Sequence, residues 1–536
     1  MAELFDYVIV GAGTAGCLLA DRLTENPANS VCLIEAGPKD LHPFIHLPAG
    51  YIKMLFNPSY TWRFQTEPSE GSGGRSIATT QGRMLGGSSS LNGLVYNRGQ
   101  AADFDSWAQM GNRGWGYDDL LPFFRRTERR QGAGDDALRG RDGSLTVTDL
   151  DWHHPLCDAF VTGAQRLGIP RNSDYNGADQ AGVGYYQRVI HKGLRQSAAR
   201  AFLAKAKSRA NLTLLTKLQV SRITFEGRKA TGVIGLRLDG TDRPIVARRE
   251  VIVVAGAINS PKLLQISGIG PADLLSHIGV TPIAVREGVG ANLRDHWAVR
   301  VVARVHNIQT INRMVSGLPL VGQALRWVMG RPNVLAVSPS LAHVFWKSQP
   351  DMPGTDLQMT FTPASYKAGV AGLLDAFDGM TCGVWQQRPD SVGHVRAISA
   401  DPRQHPLIQP NYLSAETDRR AIVGGVKLAR TLLETPALRR YFDGRESPGN
   451  DVNTDDEILD FARRNGSTVF HLTGSCRMGL ATDPMAVVDD RLRVHGVTGL
   501  RVIDASVMPT MPSANTMAAT YVIAEKGADA ILRGLD

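Results

Sequence analysis

The stretch from Asp6 to Glu35 constrains the fold more tightly than any other part of the chain. Tyr7-Val8-Ile9-Val10 is a continuous run of β-branched and aromatic residues, as in a parallel strand buried on both faces. Gly11-Ala12-Gly13-Thr14-Ala15-Gly16 follows, then the helical pattern Cys17 to Leu23, then a second buried strand, Ser30 to Ile34, ending at Glu35. Strand, GxGxxG, helix, strand and acid in this order specify a dinucleotide-binding unit. Gly11 permits the tight turn, Gly13 lets the backbone approach a pyrophosphate, and Gly16 allows close helix–strand packing. The helix N-terminus at Thr14 and Ala15 offers N–H groups to the phosphates, and Glu35, with Ala36 beside it, accepts hydrogen bonds from the ribose. The glycines alone would fit a packing turn; the flanking strands and the acid set that reading aside.

A second Gly/Ser-rich block, Gln81 to Gly93, contains Arg83, Gly86, Gly87, Ser88, Asn92 and Gly93 and runs straight into Leu94-Val95-Tyr96. Its apolar flanks argue against a flexible surface loop. Another cradle of backbone N–H groups implies a cofactor longer than one nucleotide half can hold.

Near the other end, His471 lies in a loop bounded by Gly, Ser and Cys, and Asn515 stands where the apolar helix from Thr516 and Met517 onward begins. Between them a short strand ends at Asp504-Ala505. A base and a hydrogen-bond donor at the edge of a cofactor domain suit removal of a proton from a small polar group. Taken singly, a loop His reads as structural and an Asn at a helix start as an N-cap.

With 536 residues, 43% of them apolar, the chain can form at least two compact units. The formal charge of +8 is scattered. Its densest cluster, Arg125 to Arg130, is interrupted by Glu128 and reads as a solvated helical face, and no nucleic-acid module accompanies it. A basic surface does favour anionic substrates or an anionic membrane face. Five well-separated cysteines indicate neither disulfides nor zinc, and His153-His154 lacks a third ligand, so no metal is expected. The N-terminus enters a strand at once, leaving no signal peptide, and no run has the length to cross a bilayer. A cytoplasmic protein, soluble or at most peripheral on a membrane, is expected.

Residues 115–130 read as a helix capped by Asp118-Asp119, and Gln196 to Arg209 as another. A hairpin turns over Gly227-Arg228. From about 298 the character changes to alternating strands, Val299 to His306, Leu357 to Phe361 and Thr381 to Trp385, with a late helix, Thr417 to Glu434. The helix Leu318 to Met329 is apolar on one side; a core-packed face is the expectation, ahead of a membrane-docking surface or an entrance lid.

Taken together, these blocks resemble the glucose–methanol–choline (GMC) oxidoreductases, FAD enzymes that oxidise alcohols. The resemblance spans nearly the whole chain. It rests on the N-terminal fingerprint with Glu35, on Gly82-Arg83 through Gly93, on Gly256 to Gly270, on Gly288 to His296 and on both C-terminal blocks. It implies an α/β fold: a Rossmann-type FAD-binding domain (1–150, 193–297 and 465–536) with an inserted α+β substrate domain (151–192 and 298–464) built on an antiparallel sheet. Val220 is then expected near the adenine, Ala255-Gly256 near the ADP part and Asp504-Ala505 beside the cofactor. His471 takes the hydroxyl proton as hydride moves to flavin N5, Asn515 orients the alcohol oxygen, and the helix start at Thr516-Met517 faces the flavin N1/C2 oxygen edge. His296 and Glu287 are assigned structural roles.

Some members of the family tether the flavin through a His in the second Gly-rich block. Leu91 stands at that place and has no nucleophilic atom, so non-covalent FAD is expected. The implied partners are a small-molecule alcohol and, as electron acceptor, oxygen or a quinone-type carrier. A lyase of the hydroxynitrile type, keeping FAD for structure, and a flavin-binding protein without catalysis are the alternatives.

Overall fold

The computed structural model describes residues 3–367 and 372–534. The strands Glu3–Val10 and Val31–Glu35 flank the helix Thr14–Thr24, and every residue from Val31 to Glu35 is buried. Burial on both faces is the reason these strands carry no polar alternation. They belong to a seven-stranded sheet in the order Leu212–Thr216, Val31–Glu35, Glu3–Val10, Asp242–Val253, Lys229–Leu236, Gln219–Glu226, with Leu500–Val502 added beside Asp242–Val253. The long strand Asp242–Val253 has two partnerships. Its start pairs antiparallel with Lys229–Leu236, closing the meander over Gly227, while its end runs parallel to Leu500–Val502. Residues close to the C-terminus thereby join the sheet that the N-terminus began.

The last helix, Met517–Leu532, packs on Thr14–Thr24 and on Tyr117–Thr127. A buried ion pair, Arg22 Nη2 to Glu525 Oε1 at 2.6 Å, ties the first two together. Asp118 and Asp119 lie in the first turn of Tyr117–Thr127, where they meet the helix dipole without a side-chain cap bond.

The second sheet is also seven-stranded and antiparallel, in the order Phe442–Ser447, Trp297–Val305, Gly379–Gln386, Leu357–Thr362, Ala342–Trp346, Gly182–Tyr185, with Ser467–Thr468 on the end of Trp297–Val305. The helices Pro155–Arg166 and Glu416–Leu433 cover one of its faces and share its hydrophobic core.

Two local expectations, for the helix Gly317–Val328 and for the arginine cluster, are corrected, and two further segments gain detail. The apolar side of the helix Gly317–Val328 does not enter a core: none of its residues is buried. The helix expected over Gln196 to Arg209 is present as one continuous run, shorter than expected and π-bonded at Ala199–Leu203 before an α-turn at Ala204–Ala206. The arginine cluster is divided: Arg125, Arg126 and Arg129 are solvated, whereas Arg130 is buried with its guanidinium on Asp149. His154 is buried and caps Pro155–Arg166, its Nδ1 accepting from Leu156 N at 3.2 Å.

Candidate active site

A cavity of about 460 Å³ lies between the two sheets' domains. From the N-terminal unit it is lined by Gly11, Gly13, Thr14, Ala15, Glu35 and Ala36, and from the second Gly-rich block by Gly87, Ser88, Leu91, Asn92, Gly93, Leu94 and Val95. Val220, Ala255 and Gly256 contribute from the middle of the chain, and Asp504, Ala505, Asn515, Thr516 and Met517 from its end, together with His471. Three residues singled out in the sequence do not reach the wall. Gly16 packs instead, since a Cβ there would fall 1.9 Å from Gly11 O. Gly86 (φ +85°) shapes the loop, its N–H donating to Ala12 O. Arg83 stacks its guanidinium over Trp62, 4.7 Å from the ring centroid.

The two Gly-rich loops meet backbone to backbone. At Gly87 (φ +52°) an added Cβ would lie 2.7 Å from Gly13 Cα, and at Gly11 (φ +111°) 2.6 Å from Val254 O. Such closeness, in loops that share one cavity wall, is what a pyrophosphate gripped by peptide N–H groups requires. Glu35 is held ready by its own backbone neighbours, accepting from Ala12 N at 3.0 Å and Gly37 N at 2.8 Å. Burial pushes its carboxyl up to about 7. These residues fit a dinucleotide of FAD's length. Leu91 packs with Ile45, Met54 and Met84.

Arg195 was not visible as a site residue in the sequence. It is fully buried with no carboxylate partner among the described residues, and burial lowers it to about 9. Its guanidinium donates to the carbonyls of Ile45, Ser89 and Asn92 and to Asn92 Oδ1, so it holds the second loop from behind.

His471 and Asn515, 44 residues apart, meet with Nε2 and Nδ2 at 3.2 Å. The other ring nitrogen, Nδ1, lies 2.9 Å from Nδ1 of His296. His296 Nε2 in turn lies 2.7 Å from the carbonyl of Gln387. A carbonyl can only accept, so His296 Nε2 carries the proton and its Nδ1 is a lone-pair acceptor. His471 Nδ1–H therefore donates to His296, and His471 Nε2 is left unprotonated, its lone pair accepting from Asn515 Nδ2–H. The Asn515 amide is oriented likewise: Gln358 Nε2 donates to Asn515 Oδ1 at 3.0 Å, which turns Nδ2 toward His471.

Asp295 anchors both imidazoles through their backbones. One carboxylate oxygen accepts from His296 N and His471 N, both at 2.9 Å. The other accepts from the Tyr412 hydroxyl at 2.6 Å and from Thr468. Phe470, at φ +65°, makes the left-handed turn that aims His471 into the cavity, and its N–H is caught by Thr468 Oγ1 at 2.7 Å. Burial dominates the electrostatics here. It lowers His296 to about 4 and raises Asp295 to about 6. His471 is held well below the ordinary histidine range, first by burial and then by His296. Neutral, with Nε2 unprotonated and bonded among the described residues only by the Asn515 amide donor, His471 is equipped to accept a hydroxyl proton. Among the described residues no His, Cys, Asp and Glu cluster is arranged to hold a metal.

Comparison with known proteins agrees on the family. The GMC oxidoreductase profiles match residues 5–298 and 389–524. The chain belongs to the GMC oxidoreductases. It is 39% identical over 534 residues to the oxygen-dependent choline dehydrogenase of Vibrio vulnificus (strain YJ016), covering 99% of this chain and 95% of that one. It is 37% identical over 536 residues to the alcohol dehydrogenase [acceptor] of Pseudomonas putida, covering 99% and 96%. Among solved structures, pyridoxine 4-oxidase from Mesorbium loti superposes with a TM-score of 0.88 at 31% identity, over 99% of both chains. This GMC oxidoreductase is accordingly an FAD-dependent enzyme acting on CH–OH donors, and the lyase alternative finds no support. No helix among its described residues is long and apolar enough to cross a membrane.

Proposed function

We propose that His471 is the base and Asn515 the positioning donor in oxidation of an alcohol to its aldehyde or ketone. The observation that carries this reading is the chain Gln387 carbonyl, His296, His471, which leaves His471 Nε2 unprotonated in the cavity that also holds the two Gly-rich loops. FAD, when bound, supplies the hydride acceptor. The protein's share is to take the hydroxyl proton at His471 Nε2, to hold the alcohol oxygen with Asn515 Nδ2–H, and to keep that oxygen away from water. Residues 1–150, 193–297 and 465–536 would hold the cofactor; 151–192 and 298–464 would hold the alcohol.

FAD is held without a covalent bond, since Leu91 offers no nucleophile. Oxygen or a quinone-type carrier takes the electrons afterwards. Five free, buried thiols suit a reducing compartment such as the cytoplasm.

The alcohol is neutral or carries an anionic group. On the antiparallel-sheet side of the cavity, Arg300 is the charged residue, and no Asp or Glu lines that side among the described residues. A quaternary ammonium such as choline would meet like charge there.

Anaerobic mixing with a panel of neutral, anionic and cationic alcohols tests both points. Wild-type flavin should bleach, fastest with neutral or anionic members. His471→Ala should lose about 10²- to 10⁴-fold in the reduction rate with its flavin spectrum intact. Near-normal reduction in that variant would sink the assignment.

A further inference from the structure

We propose that the helix Gly317–Val328 docks on the surface of an anionic phospholipid bilayer. Leu318, Val321, Leu325 and Val328 recur at helical spacing along one side and are 87%, 57%, 58% and 75% exposed; Met329, 57% exposed, extends the stripe. A surface helix of a globular protein ordinarily turns such a stripe inward. Here the inward side is formed by the half-buried Gln323, Ala324 and Trp327, two of them hydrogen-bonded. Gln323 Oε1 accepts from Val334 N at 3.1 Å, and Trp327 Nε1 donates to Gly193 O at 3.0 Å. These bonds fix the helix with its apolar side outward, so the stripe is a built surface and not a loose end.

Charge identifies the occupant. From His296 to Pro350 the sequence contains no Asp or Glu, while Arg300, Arg304, Arg313, Arg326, Arg331 and Lys347 lie within it. Arg304 is taken by Glu446, and Arg313 by Asp378. Arg326 on the helix, Arg331 just beyond it and Lys192 beside Gly193 are exposed and have no carboxylate partner among the described residues. An apolar stripe rimmed by cations that no carboxylate neutralises among the described residues matches acyl chains beneath phosphate headgroups. A second copy of the chain would set these cations against their own kind. The connection that leaves the helix continues to Pro339 and Ser340, which line the active-site cavity, so docking brings the cavity wall close to the lipid.

Co-sedimentation of the FAD-loaded, full-length enzyme with phosphatidylcholine vesicles, with and without phosphatidylglycerol, tests the proposal. The enzyme should pellet with the anionic vesicles and be released by salt. Leu325→Glu/Val328→Glu should lower the partition coefficient about a hundredfold. Arg326→Ala and Arg331→Ala should each lower it about fivefold. All four substitutions should leave flavin content and turnover of a water-soluble alcohol unchanged. An enzyme that stays in the supernatant with anionic vesicles overturns the proposal. So does a dimer, seen by light scattering, that Leu325→Glu/Val328→Glu converts to monomer, because the occupant is then a second copy.

Discussion

The proposed role of His471 as base requires that its Nε2 carry no proton, and its neighbours decide that. His296 takes the Nδ1 proton bond, and burial keeps both rings neutral. His296→Ala removes the acceptor, so the His471 tautomer is no longer set, and flavin reduction should slow about ten- to hundredfold. Because His296 is one of the two causes lowering His471, the acid limb of the reduction rate should also move to higher pH. His296→Gln keeps an acceptor oxygen and should recover most of the rate. Stopped-flow reduction across pH distinguishes these outcomes; identical profiles in all three proteins would leave His296 with packing alone. Leu91 carries a separate expectation. Acid precipitation should release the flavin into the supernatant, and flavin retained in the pellet would reveal another point of attachment.

Among the elements, the two Gly-rich loops depend on each other. Gly87→Ala forces a side chain into a left-handed backbone and toward Gly13 Cα, so the cradle must open. The expected result is a folded protein with little FAD, read from flavin absorbance per protein. Gly16→Ala drives a Cβ onto Gly11 O in the turn after the first strand, and should cost about 1–3 kcal/mol in stability, seen as a lowered melting temperature. Both loops were legible in the sequence because a bare backbone at a tight approach demands glycine wherever the rest of the chain lies. The outward face of Gly317–Val328 was not legible. Its periodicity shows that one side is apolar, and periodicity is the same whether that side meets a core or solvent. Only the bonds from Gln323 and Trp327 decide the direction.

For the whole molecule, stability against pH reports on the buried polar cluster. His296 is lowered from 6.5 to about 4, so its contribution is full above pH 6.5 and is lost as pH falls to about 4. Asp295 is raised from 3.8 to about 6, so its contribution is full below pH 3.8 and is lost as pH rises through about 6. Each is worth roughly 3 kcal/mol, with opposite slopes that offset between about pH 4 and 6. Asp295→Asn removes one slope and leaves the other. The variant should lose more of its melting temperature than wild type on acidification from pH 6.5 to 4. Parallel curves for the two proteins would show that Asp295 does not titrate in that window.

The fold class, the paired cradles and the family follow from local signals: apolar runs, glycines at forced approaches, and motifs in a set order. These survive in one dimension because each answers a demand of its own short segment. The active site is a matter of distant partners. His296 meets His471 across 175 residues, Gln358 meets Asn515 across 157, and Arg195 braces Asn92 across 103. A histidine assigned to structure at position 296 sets the proton on His471 because the Trp297–Val305 strand begins beside the 465–475 loop, a proximity that folding of both sheets creates. Which nitrogen is bare, which way an amide points and which side of a helix faces outward are decided by contacts, and contacts exist only in the tertiary structure.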